Sequence, residues 1–254
     1  MIAFLQARCS STRFPKKVLA RLGEVPLIIF QVNRILLSKF VEKVIVVTSK
    51  EQSDDELCSL LQSSNVPYFR GDLADVNLRF REALMTFRPA DAYVMRLTAD
   101  CPLICPEILD CGISSALTRP WDYFSNTVIR TFPDGLDFEI FNIDTFLSQP
   151  REQMTDYDKE HVTPFFYRNH DLFSIGQLVS SSDYSSLRMT VDYPEDLALI
   201  TEMIGQPNYS PTNVDYSYIL RLYNEVMCRR GLVLNFQFEH TFTVKGLGVS
   251  SEER

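Results

Sequence analysis

An α/β fold, with a mostly parallel sheet covered by helices on both faces, is what this sequence predicts, and two observations carry it. From residue 2 to residue 98, short apolar runs alternate with amphipathic stretches. Strands that alternate with helices pair in parallel, because each crossover returns the chain to the same sheet. The polar, charge-bearing motifs follow directly after the apolar runs, at the carboxyl ends of the strands, where ligands bind in such sheets.

IAFLQ (2–6) predicts a buried strand. PLIIFQVNRILLSK (26–39) has helical apolar spacing and Pro26 at its first turn. KVIVVTS (43–49) is β-branched and ends in small polar residues, which predicts a second strand. SDDELCSLLQSS (53–64) reads as a helix: Ser53 can cap it, and Asp54, Asp55 and Glu56 suit the positive end of its dipole. VPYF (66–69), ADVNLRFREALMTF (74–87) and DAYVMRLT (91–98) predict a strand, an amphipathic helix and a strand. After about residue 120 the pattern changes. Strands are expected over 121–126, 136–141, 172–178 and 186–191, with a helical stretch near 157–169 and a helix over 194–204 that opens on Pro194. Beyond 206, a helix is expected over 214–228, a strand over 232–238 and a frayed tail over 248–254.

The 254 residues suffice for one large domain with a sizeable core. No apolar run reaches membrane-spanning length, and Arg8 follows the apolar start too soon for a signal-peptide core, so a cytoplasmic protein without membrane contact is expected. The six cysteines are scattered. Cys101, Cys105 and Cys111 stand at C-x3-C-x5-C, which matches no zinc or iron–sulfur spacing, and they read as reduced structural thiols. The net charge of -8 argues against nucleic-acid binding, which needs a broad basic face.

Against that acidic background, residues 5–22 carry Arg8, Arg13, Lys16, Lys17 and Arg21, with no acid before Glu24. Neither GxGxxG nor a Walker loop is present. Small hydroxyl residues at 10–12 let backbone amides approach a phosphate chain, while Arg and Lys add charge from several directions. On the residues alone, phosphate binding and a solvated basic loop are equal readings.

QARCSSTRFPKKVL resembles the signature of the cytidylyltransferases of spore-coat polysaccharide biosynthesis, relatives of the synthetases that make CMP-activated acidic sugars. Arg8, Ser11, Thr12, Arg13, Pro15 and Lys17 match its pattern; Ser10 and Lys16 stand where it has glycines. VVTSKEQSDDEL, YFRGDLADVNLRF, RLTADCPLI, YFSNTVIRTFPDGLDFEIF, KEHVTPFFYR and RMTVDYPEDLALI resemble further segments in the same order, with Ala99 in place of a glycine. The resemblance covers about residues 1–205. It implies a three-layer, Rossmann-like nucleotide-diphospho-sugar transferase fold with a mixed, mostly parallel sheet. Residues 1–205 would form the nucleotidyltransferase domain, with a nucleotide-binding half over 1–120 and an acceptor and metal half over 121–205. A C-terminal helical extension and tail would occupy 206–254.

The resemblance implies transfer of CMP from CTP to an acidic sugar or related acceptor, in cell-surface glycan synthesis, by a homodimer that uses Mg²⁺. Arg8, Arg13 and Lys17 would hold the triphosphate. Gln6, Ala7, Ser10, Ser11, Thr12, Ser49, Arg70 and Thr98 would line the nucleotide. Asn126, Asp134, Asp137, Glu139, Glu160 and His161 would face the acceptor. Asp100 and Asp192 would hold the metal; Asp196, in the first turn of a helix, has a dipole role that already explains it. By itself a strand-end Asp is more often a turn or cap residue. Two rival readings stay open. A glycosyltransferase of related fold would normally show Asp-x-Asp, and TADCP has one Asp. A non-catalytic nucleotide or sugar sensor would follow if Ser10 and Lys16 alter the loop.

Overall fold

Residues 1–232, 236, 238 and 240–248 are described in the computed structural model. The first half runs β1 (Ile2–Gln6), a small ribbon of β2 (Arg21–Leu22) and β3 (Val25–Pro26), α1 (Leu27–Ile35), β4 (Lys43–Ser49), α2 (Asp55–Ser63), β5 (Tyr68–Gly71), α3 (Val76–Phe87), β6 (Tyr93–Thr98) and α4 (Pro106–Ala116). The second half runs β7 (Tyr123–Ser125), β8 (Glu139–Asn142), α5 (Ile143–Ser148), α6 (Asp156–His161), α7 (Pro164–Arg168), β9 (Ser174–Ser180), α8 (Pro194–Ile204), α9 (Tyr216–Arg229) and β10 (Phe242–Gly248).

The main sheet has the order β10-β9-β7-β8-β6-β1-β4-β5. Strands β5, β4, β1 and β6 are mutually parallel, as is β7 with β9. Strand β8 runs antiparallel to β6 and β7, and β10 antiparallel to β9. The sheet is therefore mixed, with its parallel block in the nucleotide half. Strand residues alternate between two cores. Ala3, Leu5, Val44 and Val46 face a core built with α1, α2, α4, α8 and α9. Phe4, Ile45, Val47 and Val94 face a second core built with α3, α5 and α7. Burial on both faces explains why these strands read as continuous apolar runs. Three layers result, and the carboxyl ends of β1, β4 and β6 open toward one side. Among the described residues, no helix is long and apolar enough to cross a membrane.

Several expectations are corrected. Pro26 ends β3 and caps α1 from outside, and that helix stops at Ile35 instead of 39. Ser53 does not cap α2; it lies in a 3-10 turn over Gln52–Asp54, and Asp54 stands at the cap position with its carboxylate turned elsewhere. The helical stretch near 157–169 is broken in two at Val162. No strand forms over 186–191, where only an isolated bridge joins Asp134 to Arg188. Its backbone groups are already used: Met189 N donates to Asp134 O and Val191 N to Asp100 O, each at 2.7 Å. Residues after 206 join the same body, with Ile219, Leu220 and Val226 of α9 in the first core and β10 as an edge strand. The strand expected over 232–238 and the tail fall mostly outside the described residues.

Candidate active site

The loop after β1 is held by a buried carboxylate. Asp54 accepts from Cys9 N at 2.7 Å, from the Thr48 hydroxyl at 3.0 Å, from Ser49 N at 3.1 Å and from the Ser49 hydroxyl. Burial works against its charge, but the donors from Ser49, Cys9 and Thr48 outweigh it and keep its pKa below the ordinary value. Removing Asp54 would strand several buried donors, each at a cost of about 1–3 kcal/mol. Lys16 then closes the loop: its N–H donates to Cys9 O at 2.9 Å, and its backbone is left-handed, φ 58°. Glycine is the residue best suited to that conformation, which gives a physical reason for the glycine in the family pattern.

The turn delivers Lys17 into the cleft. Its ammonium donates to Asp100 at 3.0 Å and to Asp192 at 2.9 Å. Burial opposes its charge, yet Asp100 and Asp192 prevail and raise its pKa. Asp192 also pairs with Arg13 and Arg188, each at 2.9 Å. Burial pushes Asp192 upward, but the bonds from Lys17 and Arg188 hold its pKa below the ordinary value. The Asp100 and Asp192 segments are tied together through Asp100 O, which accepts from Val191 N at 2.7 Å and the Thr190 hydroxyl at 3.1 Å. This cluster, Arg188 apart, lines a cleft of about 320 Å³ together with Arg8, Ser10, Thr12, Thr98, Glu160 and His161.

A second cavity of about 190 Å³ adjoins it, sharing Arg96, Thr98 and His161 and lined further by Asp137, Glu139 and Arg130. Arg96 was not among the residues expected from sequence. Its guanidinium is fixed by Glu139 and by Gln6 Oε1, the latter at 2.7 and 3.2 Å. Glu139 also accepts from the Tyr123 hydroxyl at 2.7 Å and from Thr163, so the buried charge pair is well bonded. Asp137 pairs with Arg130 at 2.9 Å; burial pushes its pKa up to about 6 despite that partner. His161 packs against Tyr157 with ring centres 4.3 Å apart and planes tilted by 50°. It is followed by buried Val162 at φ 74°, a conformation rare for a β-branched residue, and Thr163 N donates to His161 O at 2.9 Å.

Of the residues expected from sequence, Gln6, Ala7, Arg8, Ser10, Ser11, Thr12, Arg13, Lys17, Thr98, Asp100, Glu160, His161 and Asp192 converge on the first cleft, and Asp137 and Glu139 on the second. Four do not line either. Ser49 is buried against Asp54. Arg70 turns to Ser49 O, Glu51 O and Asp55. Asn126 bridges the approach to β8, with its amide on Leu136 O and its carbonyl on Phe138 N, both at 2.9 Å. Asp134 sits at the rim on Arg188, 3.2 Å away.

The donor set fits Mg²⁺. It offers two hard carboxylates at the cleft floor, and the ion commonly takes only one or two, with phosphate and water completing its shell. Among the described residues no group of three or more His, Cys, Asp or Glu could hold a metal alone. Lys17 sits between the two carboxylates and would have to yield part of them.

A mixed, mostly parallel sheet, a basic loop after its first strand and a paired-carboxylate floor are what a nucleotidyltransferase needs. The sequence pattern of the cytidylyltransferase family matches residues 2–222, and the chain belongs to that family. It is 32% identical over 223 residues to an uncharacterised protein of Methanocaldococcus jannaschii, covering 87% of this chain and 88% of that one. It is 31% identical over 232 residues to the spore coat polysaccharide biosynthesis protein SpsF of Bacillus subtilis, covering 88% and 94%. A solved cytidylyltransferase from Leptospira borgpetersenii superposes with a TM-score of 0.81 at 28% identity, covering 93% of this chain and 98% of that one. The chain is thus a CTP-using nucleotidyltransferase.

Proposed function

We propose that the chain transfers CMP from CTP to an acidic sugar, with Mg²⁺, in the synthesis of a cell-surface glycan. The observation that carries this reading is Lys17 clamped between Asp100 and Asp192 beneath the basic loop, with an acceptor-sized cavity alongside. An acceptor hydroxyl oxygen attacks the α-phosphorus of CTP. The bond from that phosphorus to the bridging oxygen breaks, and pyrophosphate leaves with the electron pair. Arg8, Arg13 and Lys17 neutralise the charge that builds on the phosphate oxygens, so they act by position and electrostatics. Asp100 and Asp192 would hold Mg²⁺, which when bound supplies charge neutralisation on the phosphate chain. Asp137 takes the hydroxyl proton: it lines the acceptor cavity, and its raised pKa suits a base near neutrality. Arg96 and Arg130 bring guanidinium donors to the same cavity, each paired with a carboxylate that also lines it, Glu139 and Asp137.

The test is pyrophosphate release from CTP and Mg²⁺ over a panel of acidic sugars, octulosonic and nonulosonic acids included. CTP-specific release with one of them is the expected result. Release with UTP instead, or with no acidic sugar in the panel, would overturn the reading.

A further inference from the structure

We infer that Gln177 is a positioning residue for the second cavity: from within the sheet it holds the loop that brings Thr127 and Arg130 into the cavity wall. Gln177 lies on β9, which is buried along its whole length, in register with Ser125 of β7. It is fully buried. A polar side chain in such a place is costly unless it is bonded, so its partners show what it serves. Gln177 Oε1 accepts from Val128 N at 3.2 Å and from Ile129 N at 3.4 Å, and Nε2 donates to the Ser125 hydroxyl at 3.1 Å. The two backbone donors belong to the segment between β7 and β8, 49 and 48 residues earlier in the chain. Gln177 itself lines neither the cleft nor the second cavity, so it acts through that segment.

The segment needs such a hold. Residues 126–131 form no helix or strand. The Arg130 side chain lines the second cavity beside Asp137 and is 44% exposed, and an exposed ion pair fixes a side chain only weakly. Its place in the wall is therefore set by the backbone. Gln177 ties down the two residues before it. On the far side, the Thr131 hydroxyl accepts from Ser180 N and Thr131 O from Tyr184 N, each at 2.8 Å. On the near side, the Ser125 hydroxyl that Gln177 holds accepts from Thr127 N at 3.2 Å and lies 3.1 Å from the Thr127 hydroxyl. One buried amide thus joins both wall residues to β9. None of residues 127–131 lines the first cleft, so this latch acts on one cavity alone. That the cavity takes the acceptor rests on the function proposed above.

The test uses the full chain and the variants Gln177→Met, which keeps the length without an acceptor oxygen, and Gln177→Asn, which keeps the amide one methylene short. Amide hydrogen exchange over residues 126–131 reads the latch without any substrate. Initial rates of pyrophosphate release give KM for CTP and for the member of the acidic-sugar panel that the parent turns over. Exchange at Val128 and Ile129 should quicken by about tenfold or more, with the loop after β1 unchanged. KM for the sugar should rise by about tenfold, while KM for CTP stays within about twofold of the parent. The asparagine variant decides the matter if the methionine variant does not fold. Exchange over 126–131 at the parent's rate, or equal rises in the two KM values, would overturn the inference. If the variants turn over CTP and the sugar with the parent's KM values, the positioning role falls and the proposed function stands. If the parent turns over no acidic sugar, the proposed function falls, and the exchange rates alone decide the latch.

Discussion

The cations that line the cleft differ in compensation. Lys17 and Arg13 rest on Asp100 and Asp192, while Arg8 has no ion pair among the described residues. A compensated cluster is stable without ligand and holds its geometry in advance. An uncompensated one is costly until an anion arrives, so it turns ligand binding into stabilisation. The cleft therefore combines a preorganised floor with a wall that has unspent charge.

The largest effect should come from breaking the floor. Lys17→Ala and Asp100→Asn should each lower kcat/KM for pyrophosphate release by about 10²–10³-fold. Both should keep the fold, since Arg13 and Arg188 still neutralise Asp192. Normal turnover in both variants would mean that the floor is only structural.

Next in size is Asp137, the carboxylate of the second cavity. As a base it must be ionised, so turnover should fall as pH drops through about 6. Asp137→Asn should lower turnover by about 10²-fold and abolish that acid limb. Stability carries the opposite sign. A carboxyl whose folded pKa is raised favours the native state as pH falls from above about 6 toward its ordinary value of 3.8, and the gain is lost as pH rises again. Melting curves of the parent between pH 4 and 7 (roughly the window set by those two values) should show this slope, and the asparagine variant should lack it. An unchanged pH profile of turnover would remove Asp137 from the chemistry.

A smaller effect is expected at Gly135. Its φ is +107°, and a Cβ there would stand 2.5 Å from the Met189 carbonyl carbon and 2.6 Å from Thr190 N. Gly135→Ala should destabilise by about 1–3 kcal/mol through backbone strain. It should also shift the segment that presents Asp192, so turnover should fall more than binding of cytidine. Equal melting temperatures would show that the 134–190 contact is loose.

The floor was legible through the resemblance and not through local rules. On its own a strand-end Asp reads as a turn or cap residue, and the likeness of QARCSSTRFPKKVL, RLTADCPLI and RMTVDYPEDLALI to the family's segments singled out Lys17, Asp100 and Asp192. The wall was less legible. Arg96 carried a signal that went unused: it interrupts the buried run of β6 and shares a face with Thr98 by period two, and a charge there must be paired or functional. The resemblance put Ser49 and Arg70 beside the nucleotide, yet both serve Asp54 and its neighbouring turn. The segment 186–191 alternates like a strand, but its partners come from loops more than fifty residues away, at Asp134 and Asp100. The antiparallel insertion of β8 between β6 and β7 is likewise non-local, and no spacing within the chain announces it.

The smallest effect concerns Lys16, one of the two residues that stand where the family pattern has glycine. Lys16 holds a left-handed backbone where glycine is favoured, and its ammonium reaches Glu56 at 2.6 Å on the surface. Both side chains of that pair are exposed, so the pair contributes little. Lys16→Gly relieves the strained backbone but loosens the unfolded chain, and these terms oppose each other. The expected outcome is a melting temperature within a few degrees of the parent and an unchanged KM for CTP. The loop is closed by the Lys16 N–H on Cys9 O and by Asp54, and a glycine keeps both bonds. A clear rise in KM would instead make the Lys16 ammonium part of the phosphate wall, and the cleft's unspent charge would then extend to the mouth of the loop.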